Sequence, residues 1–178
     1  MDRRLALAAF ATLGAGPGLV RAQAAALSDA AAIEAKAPPL PAVGTPLALP
    51  ARIDRLDGSH FDARDADGRV LVLYWWASWC PFCAETTPHV EALWREHRSR
   101  GLLLLALSID TQVQPARDYL ARRGYTLPAA WVTPALQRAL PKPRGLPVTL
   151  ARGRDGRVRQ AEAGQLFPED VQALARHL

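Results

Sequence analysis

Cys80 and Cys83 are the only thiols in the chain, and Pro81 and Phe82 separate them. A C-x-x-C of this kind can ligate zinc, anchor a haem, staple a fold or work as a redox pair. Zinc needs four ligands, and none of the four histidines (His60, His89, His97, His177) is spaced as a second ligand pair. A c-type haem needs a histidine directly after the second cysteine, and Ala84 stands there. A bridge between residues three apart closes a very small loop and removes little unfolded-state entropy. It is a poor staple and a good redox switch. The spacing therefore points to dithiol–disulfide chemistry, with no metal and no organic cofactor.

That chemistry needs a particular position. Val70–Trp76 is apolar and rich in β-formers, which predicts a buried strand. A helix is predicted from Pro81 to about Arg100, where Val90, Leu93, Trp94 and His97 share one face and Gly101 ends the run. Cys80 then falls at the helix N-terminus, where unpaired N–H groups and the helix dipole stabilise a thiolate. Cys83 lies one turn further in. Pro81 suits the first turn because its missing N–H is not needed there.

The rest of the chain supplies the frame. Arg52–Leu56 and Leu102–Ile109 read as strands, Tyr125–Val132 as an extended segment, and 61–68 as a loop. Gln114–Arg123 and Pro134–Leu140 read as helices. Val148–Ala151 and Arg157–Ala163 pair as a hairpin across Asp155-Gly156, and Pro168–Leu178 closes the domain as a helix. The order predicts an α/β fold: a mixed sheet with helices on both faces, parallel in its first half and antiparallel at its end.

Composition narrows the class. The chain has 178 residues, 49% of them hydrophobic and 22% charged, which suits one globular domain plus a linker. The net charge of +5 comes from 22 basic and 17 acidic residues, scattered along the chain. That balance does not point to nucleic acid. Residues 1–24 start with Arg3-Arg4, continue through an apolar stretch to Val20 and end in Ala22-Gln23-Ala24. This pattern predicts a cleaved secretory signal, or a membrane anchor if uncleaved. Once cleaved, no membrane span is expected. Residues 25–50, with Pro38, Pro39, Pro41, Pro46 and Pro50, are expected to be an extended linker, and the domain to run over 51–178. Export implies an oxidising compartment, the periplasm.

The segment Trp75-Trp76-Ala77-Ser78-Trp79-Cys80-Pro81-Phe82-Cys83 resembles the active-site segment of the thioredoxin superfamily, and more narrowly the secreted TlpA/ResA group of thiol-disulfide oxidoreductases. Trp79 matches the tryptophan before the first cysteine. Pro88 matches the proline that kinks the active-site helix. Gly145-Leu146-Pro147-Val148-Thr149 matches the loop that carries the cis-proline, and Ser108-Ile109-Asp110 and Asp155-Gly156 also fit the pattern. The resemblance covers about residues 44–178 and implies a thioredoxin-like fold with the extra βα insertion of this group. It implies catalytic Cys80 and Cys83, with Trp79, Pro81, Phe82, Leu146 and Pro147 meeting the substrate. It further implies protein thiol or disulfide substrates, apocytochrome c among them, and a membrane thiol reductase as electron donor to a monomeric protein. Reducing, oxidising or isomerising directions remain open, as does a redox-inert binding module.

Two departures matter. Thioredoxins carry a buried Asp six residues before the first cysteine, where this chain has Tyr74. Many TlpA/ResA relatives carry a Glu three residues after the second, where this chain has Thr86, with Glu85 one place early. One residue turns a helical side chain by ~100°, so Glu85 is expected to face solvent. Trp75, Trp76 and Trp131 are expected in the core.

Overall fold

A computed structural model describes residues 36–178, and Ala37–Leu178 forms one compact unit. The predicted signal at 1–24 and the first part of the linker lie outside the described residues. In chain order the elements are β1 (Arg52–Asp54), β2 (His60–Asp62), a 3₁₀ turn (Ala63–Ala66), β3 (Leu71–Trp76), α1 (Pro81–His97), a 3₁₀ turn (Arg98–Arg100), β4 (Leu103–Ser108), α2 (Val113–Arg123), β5 (Ala129–Trp131), α3 (Pro134–Ala139), β6 (Val148–Arg152), β7 (Val158–Ala163), α4 (Pro168–Ala173) and a last 3₁₀ turn (Leu174–His177).

The main sheet runs β5-β4-β3-β6-β7. β3, β4 and β5 are parallel, whereas β6 and β7 are antiparallel additions. Two successive crossovers in the same direction and of the same hand put α1 and α2 on one face. β3 is buried along its whole length, and its alternation divides it between two cores. Val72, Tyr74 and Trp76 join Val90 and Leu93 of α1, Ala116 and Leu120 of α2, and Val171 of α4. Leu71, Leu73 and Trp75 face Ile53, Phe61, Ala66 and Leu140 on the other side. Trp75 and Trp76 are thus core residues of opposite faces.

Three details differ from the sequence reading. The stretch 61–68, expected as a loop or short turn, starts within β2 and continues as a 3₁₀ turn capped by Asp62, whose carboxyl is lowered to about 2 by its bonds from Arg64. The extended segment at 125–132 contracts to the three residues of β5. The third difference concerns residues 38–50, which are part of the compact unit and not a linker ahead of it. Gly44 N–H donates to the Val158 carbonyl at 2.8 Å, Val158 N–H returns to Thr45 at 2.9 Å, and Leu47 N–H donates to Gly156 at 2.9 Å. Leu40, Leu47 and Leu49 pack on the second core. Arg152 fastens the stretch by donating to the carbonyls of Leu47 at 3.2 Å and Ala66 at 3.1 Å. Prolines forbid a helix here but leave carbonyls and alternate N–H groups available, so the segment docks as extended chain.

One buried carboxylate ties α1 to the segment entering β5. Glu91 accepts from the backbone N–H of Thr126 at 3.1 Å and of Leu127 at 2.7 Å, from the Thr126 hydroxyl at 2.9 Å and from Arg95 Nε at 2.6 Å. Truncating it strands the buried Leu127 N–H and unties α1 from Thr126 and Arg95. Glu91→Ala should lower the unfolding free energy by about 2–4 kcal/mol in urea titrations of the oxidised protein. A loss below about 0.5 kcal/mol, the scatter of surface substitutions, would show that the contacts carry no net stability.

Candidate active site

The site is assembled where β3 ends. Trp75 pairs with Val148 and Trp76 with Ser108, so the chain just before β6 and the chain just after β4 both lie beside the exit of β3. The loop 77–79 leads from that exit into α1. Cys80 N–H closes it by donating to the Ala77 carbonyl at 3.2 Å.

Cys80 is the N-cap of α1, and Pro81 opens the helix. Cys80 and Cys83 are joined as a disulfide, with their Cα atoms 5.2 Å apart. Cys83 N–H points at Cys80 Sγ, 3.1 Å away. That N–H is one of the donors a helix start leaves unpaired, so a thiolate at Cys80 would find it in place. Cys80 is 5% exposed and Cys83 1%, so Cys80 is the more open residue of a buried pair. Trp79 and Phe82 on either side of Cys80 are more than half exposed, at 59% and 56%. Few apolar side chains of the described residues are so open, and these two frame the sulfur.

The Leu146–Pro147 peptide bond is cis. Pro147 is buried and Leu146 half-buried. Gly145 is required here, because its φ is +104° and a Cβ would sit 2.7 Å from the Cβ of Ala163. Buried Lys142 donates to the carbonyls of Pro143 at 2.8 Å and Gly145 at 2.7 Å, which braces the loop from inside. Gly164 N–H donates to the Pro147 carbonyl at 2.8 Å and anchors the loop to the end of β7. Every residue expected to act or to meet substrate therefore lies on this one end of the sheet.

The positions that depart from relatives have clear surroundings. Glu85 is exposed, as the one-residue shift predicts. Thr86 is buried and bonds back to the Phe82 carbonyl at 3.0 Å. Tyr74 is fully buried beneath the pair. Its hydroxyl lies 3.0 Å from Thr87 Oγ1 and donates to the Cys83 carbonyl at 3.3 Å. Burial pushes the phenol well above its ordinary range, against a smaller opposing effect of the Thr87 bond. It stays protonated at neutral pH and cannot take the Cys83 proton. Sequence reasoning did not find the role of Asp110. Its buried carboxylate takes bonds from Ser78, two residues before Cys80. Only the short Ser-Ile-Asp pattern pointed toward it. Among the described residues, no group of three or more His, Cys, Asp or Glu could hold a metal ion.

A helix-capping C-x-x-C disulfide and a cis-proline loop, at one end of a five-stranded mixed sheet, define a thioredoxin-like protein. Residues 38–133 match the AhpC/TSA family, and the chain belongs to that family. It is 25% identical over 76 residues to the thiol-disulfide oxidoreductase ResA of Halalkalibacterium halodurans, a match that covers 43% of each chain. It is 24% identical over 123 residues to ResA of Geobacillus kaustophilus, covering 69% of each. The match to the first of these relatives thus spans less than half of that protein's length. Among solved structures, the fold is similar to a thiol:disulfide interchange protein of the thioredoxin family from Chlorobium tepidum. The TM-score is 0.68 at 22% identity, over 76% of this chain and 97% of that one. The chain is a TlpA/ResA-like member of the thioredoxin superfamily.

If Tyr74 serves packing and not proton transfer, Tyr74→Phe should destabilise the protein by about 1 kcal/mol through the lost hydrogen bond. Its rate of thiol–disulfide exchange should stay within about twofold of the parent. A tenfold fall in that rate, with the fold intact, would return Tyr74 to the chemistry.

Proposed function

We propose that the protein is an exported thiol-disulfide oxidoreductase that reduces disulfides in secreted partner proteins. The observation that carries this reading is the asymmetry of the helix-capping pair. Cys80 is the more open residue, its sulfur faces a helix N–H and exposed aromatics flank it in sequence, while Cys83 is more deeply buried.

The steps follow from that asymmetry. In the dithiol form, Cys80 thiolate attacks a partner's disulfide, forms a mixed disulfide and expels one partner thiolate, which takes up a proton. Cys83 loses its proton and attacks the Cys80 sulfur. The second partner thiolate leaves, and the Cys80–Cys83 disulfide remains. Two electrons have moved to the partner, and a donor must resupply them. The chain has no nucleotide-binding fingerprint, so the donor is read as a membrane thiol reductase. Trp79, Pro81 and Phe82 give the partner an apolar surface. Leu146 offers backbone groups to an extended partner segment, with Pro147 beside it. The signal at 1–24 supports delivery to the periplasm, and among the described residues no helix is long and apolar enough to cross a membrane. Apocytochrome c is the substrate that the resemblance to ResA favours, with one copy of the chain acting alone and no metal or organic cofactor.

Cys80→Ser should abolish insulin-disulfide reduction. Cys83→Ser should still attack and accumulate a mixed disulfide, visible as a mass adduct. Full reduction by Cys80→Ser would sink the assignment, and a parent protein that reduces no insulin would favour a redox-inert binding module. The potential of the pair sets the direction. A value of roughly −270 to −220 mV is expected for a reductase. A value near about −120 mV would overturn the reducing direction and make the protein an oxidant.

A further inference from the structure

We propose that Asp110 is the positioning residue for Cys80: its buried carboxylate fixes the loop that presents the sulfur, and its charge sets how readily the pair is held as dithiol. This inference rests on the reading of Cys80 as the attacking thiol and adds the group that controls it.

The geometry is specific. Asp110 is 4% exposed and follows the end of β4. Its Oδ1 accepts from the Ser78 hydroxyl at 2.6 Å, and both carboxylate oxygens lie 3.1–3.2 Å from Ser78 N. Oδ2 also accepts from the Ser108 hydroxyl at 2.7 Å. Every one of these contacts is donated to the carboxylate, which suits an anion. A buried carboxylate persists only where donors meet its oxygens. Two of the three donor groups come from Ser78, in the loop between β3 and Cys80.

Asp110 is itself held. Its N–H donates to Ser108 Oγ at 3.2 Å, and Ile109 N–H donates to the Trp76 carbonyl at 2.9 Å. The indole N–H of Trp131, at the end of β5, donates to the Asp110 carbonyl at 2.7 Å. β5 therefore reaches the active-site loop through this residue. None of these contacts touches the sulfurs, so Asp110 acts through the backbone and through its field.

Both effects have a sign. Ser78 is two residues from Cys80, at most roughly 7 Å of extended chain. A fixed anion so near opposes a second negative charge. Neutralising it should raise the thiolate fraction of Cys80 and favour the dithiol form. Loosening the loop should instead slow attack without that gain.

Asp110→Asn removes the charge and keeps an acceptor for Ser78, whereas Asp110→Ala removes both. The protein is equilibrated with reduced and oxidised glutathione, in which the dithiol passes two electrons to one glutathione disulfide and yields two glutathiones. Asp110→Asn should shift this equilibrium about threefold to tenfold toward the dithiol and raise iodoacetamide alkylation of reduced Cys80 at pH 7 by a similar factor. Asp110→Ala should attack oxidised glutathione about tenfold more slowly than Asp110→Asn, and Asn should thus rescue what Ala loses. If Asp110→Ala does not fold, Ser78→Ala, which deletes the shortest bond, should slow attack severalfold. The proposal is overturned if Asp110→Asn leaves equilibrium and alkylation unchanged, or if the variants lower only the melting temperature. These readouts need only the protein and glutathione. If the wild type failed to reduce insulin, the proposed function would fall while this result could still stand.

Discussion

A strand with no exposed face has to be covered from both sides, and β3 is such a strand. Its six residues put Tyr74 and Trp76 into one core and Trp75 into the other. Burial of that order contributes roughly 1.5–3 kcal/mol per large side chain and fixes the register of β4 and β6 against it. The active site is a consequence of that register. Where β3 stops, its neighbours deliver Asp110 on one side and Leu146–Pro147 on the other, while its own continuation becomes the N-cap of α1. The reactive pair therefore follows a strand held from both faces, where small displacements of a sulfur are resisted.

The covering layers differ in kind. One face is closed by α1, α2 and α4, whose apolar stripes are continuous with the strand residues. The other is closed by the β1–β2 hairpin, α3 and the proline-rich stretch at 38–50, which contributes leucines and backbone hydrogen bonds and no regular element. The covering on that side is built in part from extended chain that cannot bury a stripe of its own. Arg152 makes up the difference by satisfying two carbonyls from separate segments.

How much of this was legible depended on whether the signal was local. The C-x-x-C, the apolar run before it and the helix after it occupy one stretch of sequence, and periodicity with capping chemistry sufficed to place Cys80 at a helix start. Proline at 38–50 correctly forbade a helix, but it could not say whether an extended segment docks or drifts. That depends on partners more than a hundred residues away, at Val158 and Arg152. Glu91 and Asp110 were opaque for the same reason. A carboxylate in a helix or after a strand looks solvated until the backbone N–H groups it receives are known, and those come from Thr126, Leu127 and Ser78. The substitution of Tyr74 for an acid was visible in the sequence. Its meaning was not, because only burial shows that the phenol keeps its proton.

The two polar groups nearest the pair differ in what they can do with a proton. Beneath Cys83, where thioredoxins carry a carboxylate, this chain has a phenol held protonated by burial and spent on the Cys83 carbonyl. The carboxylate of Asp110 lies behind the loop, accepting from the backbone N–H of Ser78, two residues before Cys80. An anion beneath Cys83 could accept the proton that the resolving thiol must lose. An anion behind Ser78 has its oxygens occupied by hydroxyl and N–H donors, so it is better suited to holding geometry than to exchanging protons. On the mechanism proposed above, neither group takes the proton of Cys83, which passes to the departing partner thiolate or to water. The burial of Cys83 then keeps its thiol shielded until a mixed disulfide at Cys80 gives it a sulfur to attack.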